Sequence, residues 1–159
     1  MQFELTREYI QNLASLVEAK DTEQILTIFN SLHPADIADI LEELSHDEAR
    51  YIFFRLNPTL ASKTLAELED DKIERFIQVI PTNILASELI EKMDSDDAVD
   101  VLQNIPKHIA SEILTNFTDK EYQHEIANLL DYNENSAGGL MATELIRVNI
   151  NWDVRTCLN

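Results

Sequence analysis

The chain has 159 residues, enough for one domain and a fragment of a second, and its 45% apolar content supports a core and argues against disorder. It carries 30 acidic and 12 basic residues, a formal net charge of −18. The bases form no stripe, which argues against nucleic acid as a partner and against anionic lipid as a direct ligand. What remains is a surface suited to cations, to basic protein partners, or to solubility alone.

The start, "MQFELTREYI", carries Glu4 and has no apolar h-region, so it does not read as a signal peptide. A first helix is expected over Thr6 to Ala19, with Ile10, Leu13, Leu16 and Val17 on one face. A second is expected from Thr22 to about Ser31, with Ile25, Leu26, Ile28 and Phe29 apolar.

From Leu32 the chain keeps a beat. Apolar anchors recur at Leu32, Leu44, Leu56, Leu68, Ile80, Met93, Ile105, Phe117 and Leu130, in steps of twelve or thirteen. Within each unit further apolar residues fall at helical spacing. They are Ile37, Ile40, Leu41 and Leu44 in the first unit, and Ala98, Val101, Leu102 and Ile105 in the sixth. Unit starts carry cap or first-turn chemistry. Pro34, Pro58, Pro81 and Pro106 stand where a missing N–H costs nothing, and Ser45, Asn57 and Asp94 can accept from first-turn N–H groups. Glu48 completes a capping-box spacing with Ser45. Helices of two or three turns cannot bury a stripe alone, so stacked pairs of about 24 residues are expected. The reading is all-α: a right-handed, armadillo-like superhelix of short helical repeats.

After Leu130 the beat ends. "DYNENS" reads as a polar turn, and Gly138 and Gly139, the only glycines, read as a helix stop or hinge. "LIRVNI" has strand character and "WDVRTCLN" opens like a helix, with Trp152 placed to anchor the tail. Such a β/α tail cannot fold alone. The expected division is 1–131 as the helical domain and 132–159 as a linker with the truncated start of a second domain. No apolar run approaches the roughly 18 residues of a membrane span, and the chain by itself is expected to be soluble. Cys157 is the only cysteine, which leaves no intrachain disulfide and no cysteine metal site, and fits a reducing compartment.

"LHPADIADILEEL", the short repeats, and then "SAGGLMATELIRVN" together resemble the cytosolic amino-terminal part of MgtE-type magnesium transporters, over nearly the whole chain. The "AGGLM" stretch is similar to that family's junction with its first CBS domain. The resemblance implies a regulatory domain of a homodimeric magnesium channel at the cytoplasmic face of the inner or plasma membrane. There the N domain and paired CBS domains sense Mg2+, close on it, and hold the pore shut. The implied partners are the CBS and transmembrane domains of the same full-length protein, with membrane contact only through that transmembrane region.

Met93 to Ile105, "MDSDDAVDVLQNI", places Asp94, Asp96, Asp97 and Asp100 in one helix start. Asp94 matches His33 as a cap and Asp97 matches Asp36 in the first turn, both suited to the helix dipole. Asp96 and Asp100 are i and i+4 on a face away from Val101 and Leu102, where like charges repel by a few tenths of a kcal/mol. Mg2+ uses one or two carboxylates and keeps several waters, so this pair suits a site completed by another domain. The spacing also resembles the N-domain part of that family's interdomain Mg2+ sites, and the resemblance implies Asp96 and Asp100, with Asp97 beside them, as metal ligands, with weak binding by this chain alone.

His33, His46, His108 and His124 are isolated, with no H-x-x-x-H zinc pair. No G-x-S-x-G, P-loop or G-x-G-x-x-G occurs, so no enzyme is expected. Tyr51, Phe53 and Phe54 read as core or groove residues. The competing function is a helical-repeat protein-binding scaffold of the FliG kind, with no metal role; an "AGGLM" junction and β-like tail argue against it.

Overall fold

The computed structural model describes residues 5–132, with the single positions 136 and 141. The tail expectations (Gly138 and Gly139, "LIRVNI", Trp152 and Cys157) lie outside the described residues.

The described chain is helical throughout, without a strand. Helix α1 spans Arg7–Glu18 and α2 Thr22–Phe29. Then come α3 (Pro34–Glu43), α4 (His46–Phe53), α5 (Pro58–Ala66) and α6 (Asp70–Ile77). Helix α7 begins at Thr82–Ile84, and α8 (Ser95–Gln103), α9 (Lys107–Thr115) and α10 (Lys120–Leu130) complete the series.

The anchors explain the stacking. Leu44, Leu56, Leu68, Ile80, Met93, Ile105 and Phe117 are all buried, and the two terminal anchors, Leu32 and Leu130, are half-buried. Both expected stripes are buried. At about 1.5–3 kcal/mol for each large aliphatic side chain removed from water, that burial outweighs the weak intrinsic stability of nine-residue helices. Neighbouring helices pack in pairs such as α1–α2, α3–α4 and α8–α9, and longer-range contacts join α3 to α5, α5 to α8, α8 to α10 and α7 to α9.

The caps carry the local logic. Thr6 Oγ1 accepts from the Tyr9 N–H at 3.2 Å, and Asn57 Oδ1 from the Leu60 N–H at 2.9 Å. The Glu48 carboxylate takes the Ser45 N–H at 3.0 Å and is also bonded by the Ser45 hydroxyl. Pro34 and Pro58 open their helices, whereas Pro81 and Pro106 stand one position earlier, as the caps themselves. Between α1 and α2 the turn is a Schellman motif: Asp21 N–H bonds Leu16 O at 3.0 Å and Lys20 N–H bonds Val17 O at 3.0 Å. Its left-handed position is filled by Lys20, φ 56°, where glycine is the usual choice.

Steps between buried anchors are twelve, except Ile80 to Met93, which is thirteen. The extra residue is taken up inside the helix. α7 runs on into a π-turn at Leu85–Leu89 and a 3-10 turn at Ile90–Lys92. One inserted residue widens a turn and leaves the flanking stripe in place, so Leu85, Ala86, Leu89 and Ile90 all stay buried. The Leu89 carbonyl, at the change of helix type, accepts from the buried Ser62 hydroxyl at 3.0 Å.

Polar bonds between units follow the same beat. Glu42 Oε1 accepts from the Glu69 N–H at the start of α6, at 2.9 Å. Glu91 does the same for α10. It accepts from the Thr118 N–H, from the Asp119 N–H at 2.9 Å and from the Thr118 hydroxyl at 2.8 Å. Both acids stand two residues before a buried anchor and reach 27 residues ahead. Asn104 and Asn116 form a second series. Each amide bonds the carbonyl four residues back, and each also reaches 34 residues back, to Asp70 and Thr82.

Candidate functional site

The start of α8 is where acid density and groove geometry meet. Because α5 packs on both α3 and α8, the caps of these helices, His33, Asn57 and Asp94, line one groove of about 660 Å³. Each start contributes roughly half a positive charge from its aligned peptides. Asp97 and Glu67 line the same groove, with Lys63 and Lys92 at its edge.

The four aspartates differ in position. Asp94 has the extended cap backbone (φ −67°, ψ 155°), but its side chain makes no capping bond. The expected cap role is thus corrected: Asp94 holds the position without the bond. Instead, Asp96 Oδ1 accepts from the Asp97 N–H at 3.0 Å. Three acids crowd one helix start, which offers few N–H groups, and the Asp96 carboxylate reaches one of them. Asp96 is half-buried and Asp100 exposed, and the buried stripe of α8 is made by Ala98, Val99, Val101 and Leu102.

The Asp97 carboxyl is raised. Burial pushes it above the ordinary range, and the negative fields of Asp96, Asp94, Glu67 and Asp100 add to this. The structure therefore brings Asp97 and Asp94 to the groove, together with Glu67. Asp96 and Asp100 lie outside the groove lining, on the same helix.

Glu67 escaped the sequence reading, although a signal exists. It precedes Asp94 by 27 residues, the separation of the Glu42 and Glu91 bonds. Glu67 sits one position later in its unit, and the thirteenth residue of the α7 unit restores the spacing. No bond joins Glu67 to the Asp94 N–H; Glu67 is exposed and adds to the field on Asp97. At the usual clamp position of that unit stands Ala66, which has nothing to offer.

Among the described residues, no three His, Cys, Asp or Glu side chains converge closely enough to cage a metal. From a single surface Mg2+ takes one or two carboxylates, the remaining ligands being water or another domain. The described histidines are at helix starts or on outer faces, and none joins such a group.

The model of the MgtE intracellular N domain matches residues 8–86 and again residues 32–135. The chain belongs to the MgtE intracellular N domain family. Its two overlapping matches start two units apart, as an internally repeating chain produces. The magnesium transporter MgtE of Thermus thermophilus is 27% identical over 140 residues, which cover 86% of this chain and 31% of that protein. The chain thus spans about a third of the curated relative it matches. A crystal structure of the soluble part of a magnesium transporter superposes with a TM-score of 0.83 at 22% identity, covering 95% of this chain and 59% of that one. The cytosolic domain of the Mg2+ channel MgtE, solved in complex with ATP, superposes at 0.73 with 24% identity, covering 84% and 54%. These likenesses carry the all-helical N-domain fold. Among the described residues no helix is long and apolar enough to cross a membrane.

Proposed function

We propose that this N domain is the cytosolic Mg2+-sensing part of a magnesium channel. In this reading residues 1–131 form a right-handed, armadillo-like superhelix. Residues 132–159 form the linker and the start of the first CBS domain. The partners are the CBS and transmembrane domains of the same polypeptide, which works as a homodimer at the cytoplasmic face of the membrane. The domain's role is regulatory, not catalytic.

The observation that supports this is the start of α8, where Asp97 is held above the ordinary carboxylate range by burial and by four neighbouring acids. An edge in that state gains most from a divalent cation. We assign Asp96 and Asp100 as outward ligands and Asp97 as the acid behind them. When Mg2+ is scarce, two acidic surfaces repel and the domains separate. When it is plentiful, the ion bridges them, and closure is linked to its concentration.

The test uses the longer polypeptide that carries the CBS domains. Mg2+ is titrated while the separation of N and CBS domains is followed by small-angle scattering. The reading expects compaction with Mg2+, and a shift of its midpoint to at least about tenfold higher Mg2+ in Asp96→Ala/Asp100→Ala, the effect of losing about 1.4 kcal/mol. An unchanged midpoint removes both residues from the site and favours the plain binding scaffold.

A further inference from the structure

Two tyrosines reach back the same distance along the chain. The Tyr51 hydroxyl lies 3.0 Å from the Thr22 hydroxyl, at the first residue of α2. The Tyr122 hydroxyl donates to the Met93 carbonyl at 2.9 Å, just before α8. Each bond spans 29 residues. The first joins α4 to a helix start far from the acidic edge. The second joins α10 to the start that carries Asp94, Asp96 and Asp97.

The Met93 carbonyl needs a partner from elsewhere. Met93 is buried and extended (φ −85°, ψ 158°), between the 3-10 turn that ends at Lys92 and the Asp94 cap. The α8 ladder begins at the Asp94 carbonyl, which accepts from the Ala98 N–H at 3.0 Å, so the Met93 carbonyl stands outside it. A buried carbonyl at such a break is costly unless something donates to it. The donor is itself held in place. The Tyr122 ring stacks on the buried Phe117 ring, with centroids 5.8 Å apart and planes 14° apart.

Two residues before Met93, Glu91 takes the Thr118 and Asp119 N–H groups at the start of α10. The bonds therefore run both ways. The segment leading into α8 closes the start of α10, and α10 takes the carbonyl that this segment leaves over. The two helices also pack on each other. We propose that Tyr122 is a positioning residue: together with Glu91 it fastens the acidic start of α8 to α10, so that this edge and the last described helix turn as one body. The inference rests on the Mg2+ reading above and adds the route by which an ion's grip on α8 reaches the chain beyond Leu130. Tyr122 acts through the Met93 backbone and touches no ion. An edge loose on α10 has to be ordered before an ion can bridge it to another domain, and that ordering weakens the bridge.

The test uses the longer polypeptide that carries the CBS domains and compares Tyr122→Phe with Tyr51→Phe. Each variant keeps the ring and loses one hydroxyl bond of the same span, so circular dichroism melts are expected to fall by similar amounts. Compaction with Mg2+, followed by small-angle scattering, separates them. Tyr122→Phe raises the Mg2+ midpoint about fivefold, the effect of about 1 kcal/mol, and Tyr51→Phe leaves it within about 1.5-fold of wild type. In the wild type, Mg2+ slows hydrogen exchange at the Thr118 and Asp119 amides together with the first turn of α8, a measurement that stands even where Tyr122→Phe fails to fold. An unchanged midpoint in Tyr122→Phe, an equal rise in Tyr51→Phe, or protection confined to α8 overturns the proposal and leaves the Mg2+ reading intact. A wild type that neither compacts nor gains protection with Mg2+ overturns that reading, and the proposal with it.

Discussion

The starts of α10 and α8 use the same acids to different ends. At α10, Asp119 Oδ1 accepts from the Glu121 and Tyr122 N–H groups at 2.9 and 3.0 Å, and Glu91 from α7 covers the Thr118 and Asp119 N–H groups. At α8, Asp94 caps nothing, no glutamate arrives from α5, and Asp97 sits among Asp96, Asp94, Glu67 and Asp100. One end is closed by Asp119 and Glu91; at the other the acids crowd together and raise the Asp97 carboxyl. Acid density alone therefore says little about function. What separates the two ends is how the carboxylates are used: at α10, Asp119 and Glu91 take the Thr118, Asp119, Glu121 and Tyr122 N–H groups, whereas at α8 the Asp96 carboxylate takes the Asp97 N–H and Asp94 makes no capping bond.

Substitutions can break this contrast. The largest effect is expected at the closed end. Glu91→Ala removes bonds from one carboxylate to two backbone donors and a hydroxyl, and should cost about 2–3 kcal/mol in urea unfolding. A cost below about 0.5 kcal/mol would show that the clamp is ornamental. Ser62→Ala tests the joint that places α8 after the thirteen-residue unit. It strands the Leu89 carbonyl in the core and should cost about 1–3 kcal/mol.

The open end should respond in the opposite direction. The Asp97 carboxyl in the folded protein holds its proton to higher pH than in the unfolded chain. Over the pH range between the ordinary aspartate value and that raised value, the folded state binds more protons, so stability falls as pH rises through it. Asp97→Asn removes the penalty and should raise stability at neutral pH, by a few tenths of a kcal/mol per like-charge pair relieved, read as a higher melting temperature. The gain should vanish below the ordinary carboxylate range. Asp97 is partly exposed, which keeps the effect small. The smallest change is expected for Asp94→Ala, within about 0.5 kcal/mol of wild type, against about 1 kcal/mol for loss of an engaged N-cap. A cost near the engaged value would mean that Asp94 caps α8 after all.

Much of the fold was legible because apolar spacing is local. The expected helices at Thr6 to Ala19 and from Thr22 appear as α1 and α2, and both stripes picked from the beat are buried. The thirteen-residue step was also visible between Ile80 and Met93. Its consequence was not, because an extra residue can swell a loop or a helix turn, and tertiary packing of Leu85 and Leu89 chose the turn. The acidic edge was legible as a set of aspartates on α8. Its groove was not: Glu67 joins it only through the packing of α5 on α8. The error at Asp94 has a simple cause. Side chains compete for a helix start, and spacing alone cannot say which one wins.

The most direct test follows each carboxylate carbon by NMR while pH and then Mg2+ are varied. The account predicts that Asp97 titrates above the ordinary aspartate range and that Mg2+ lowers its midpoint. It also predicts that Mg2+ moves the Asp96, Asp97 and Asp100 signals and leaves Glu42 and Glu91 in place. An ordinary midpoint for Asp97, or Mg2+ shifts as large at Glu42 and Glu91 as on α8, would contradict it.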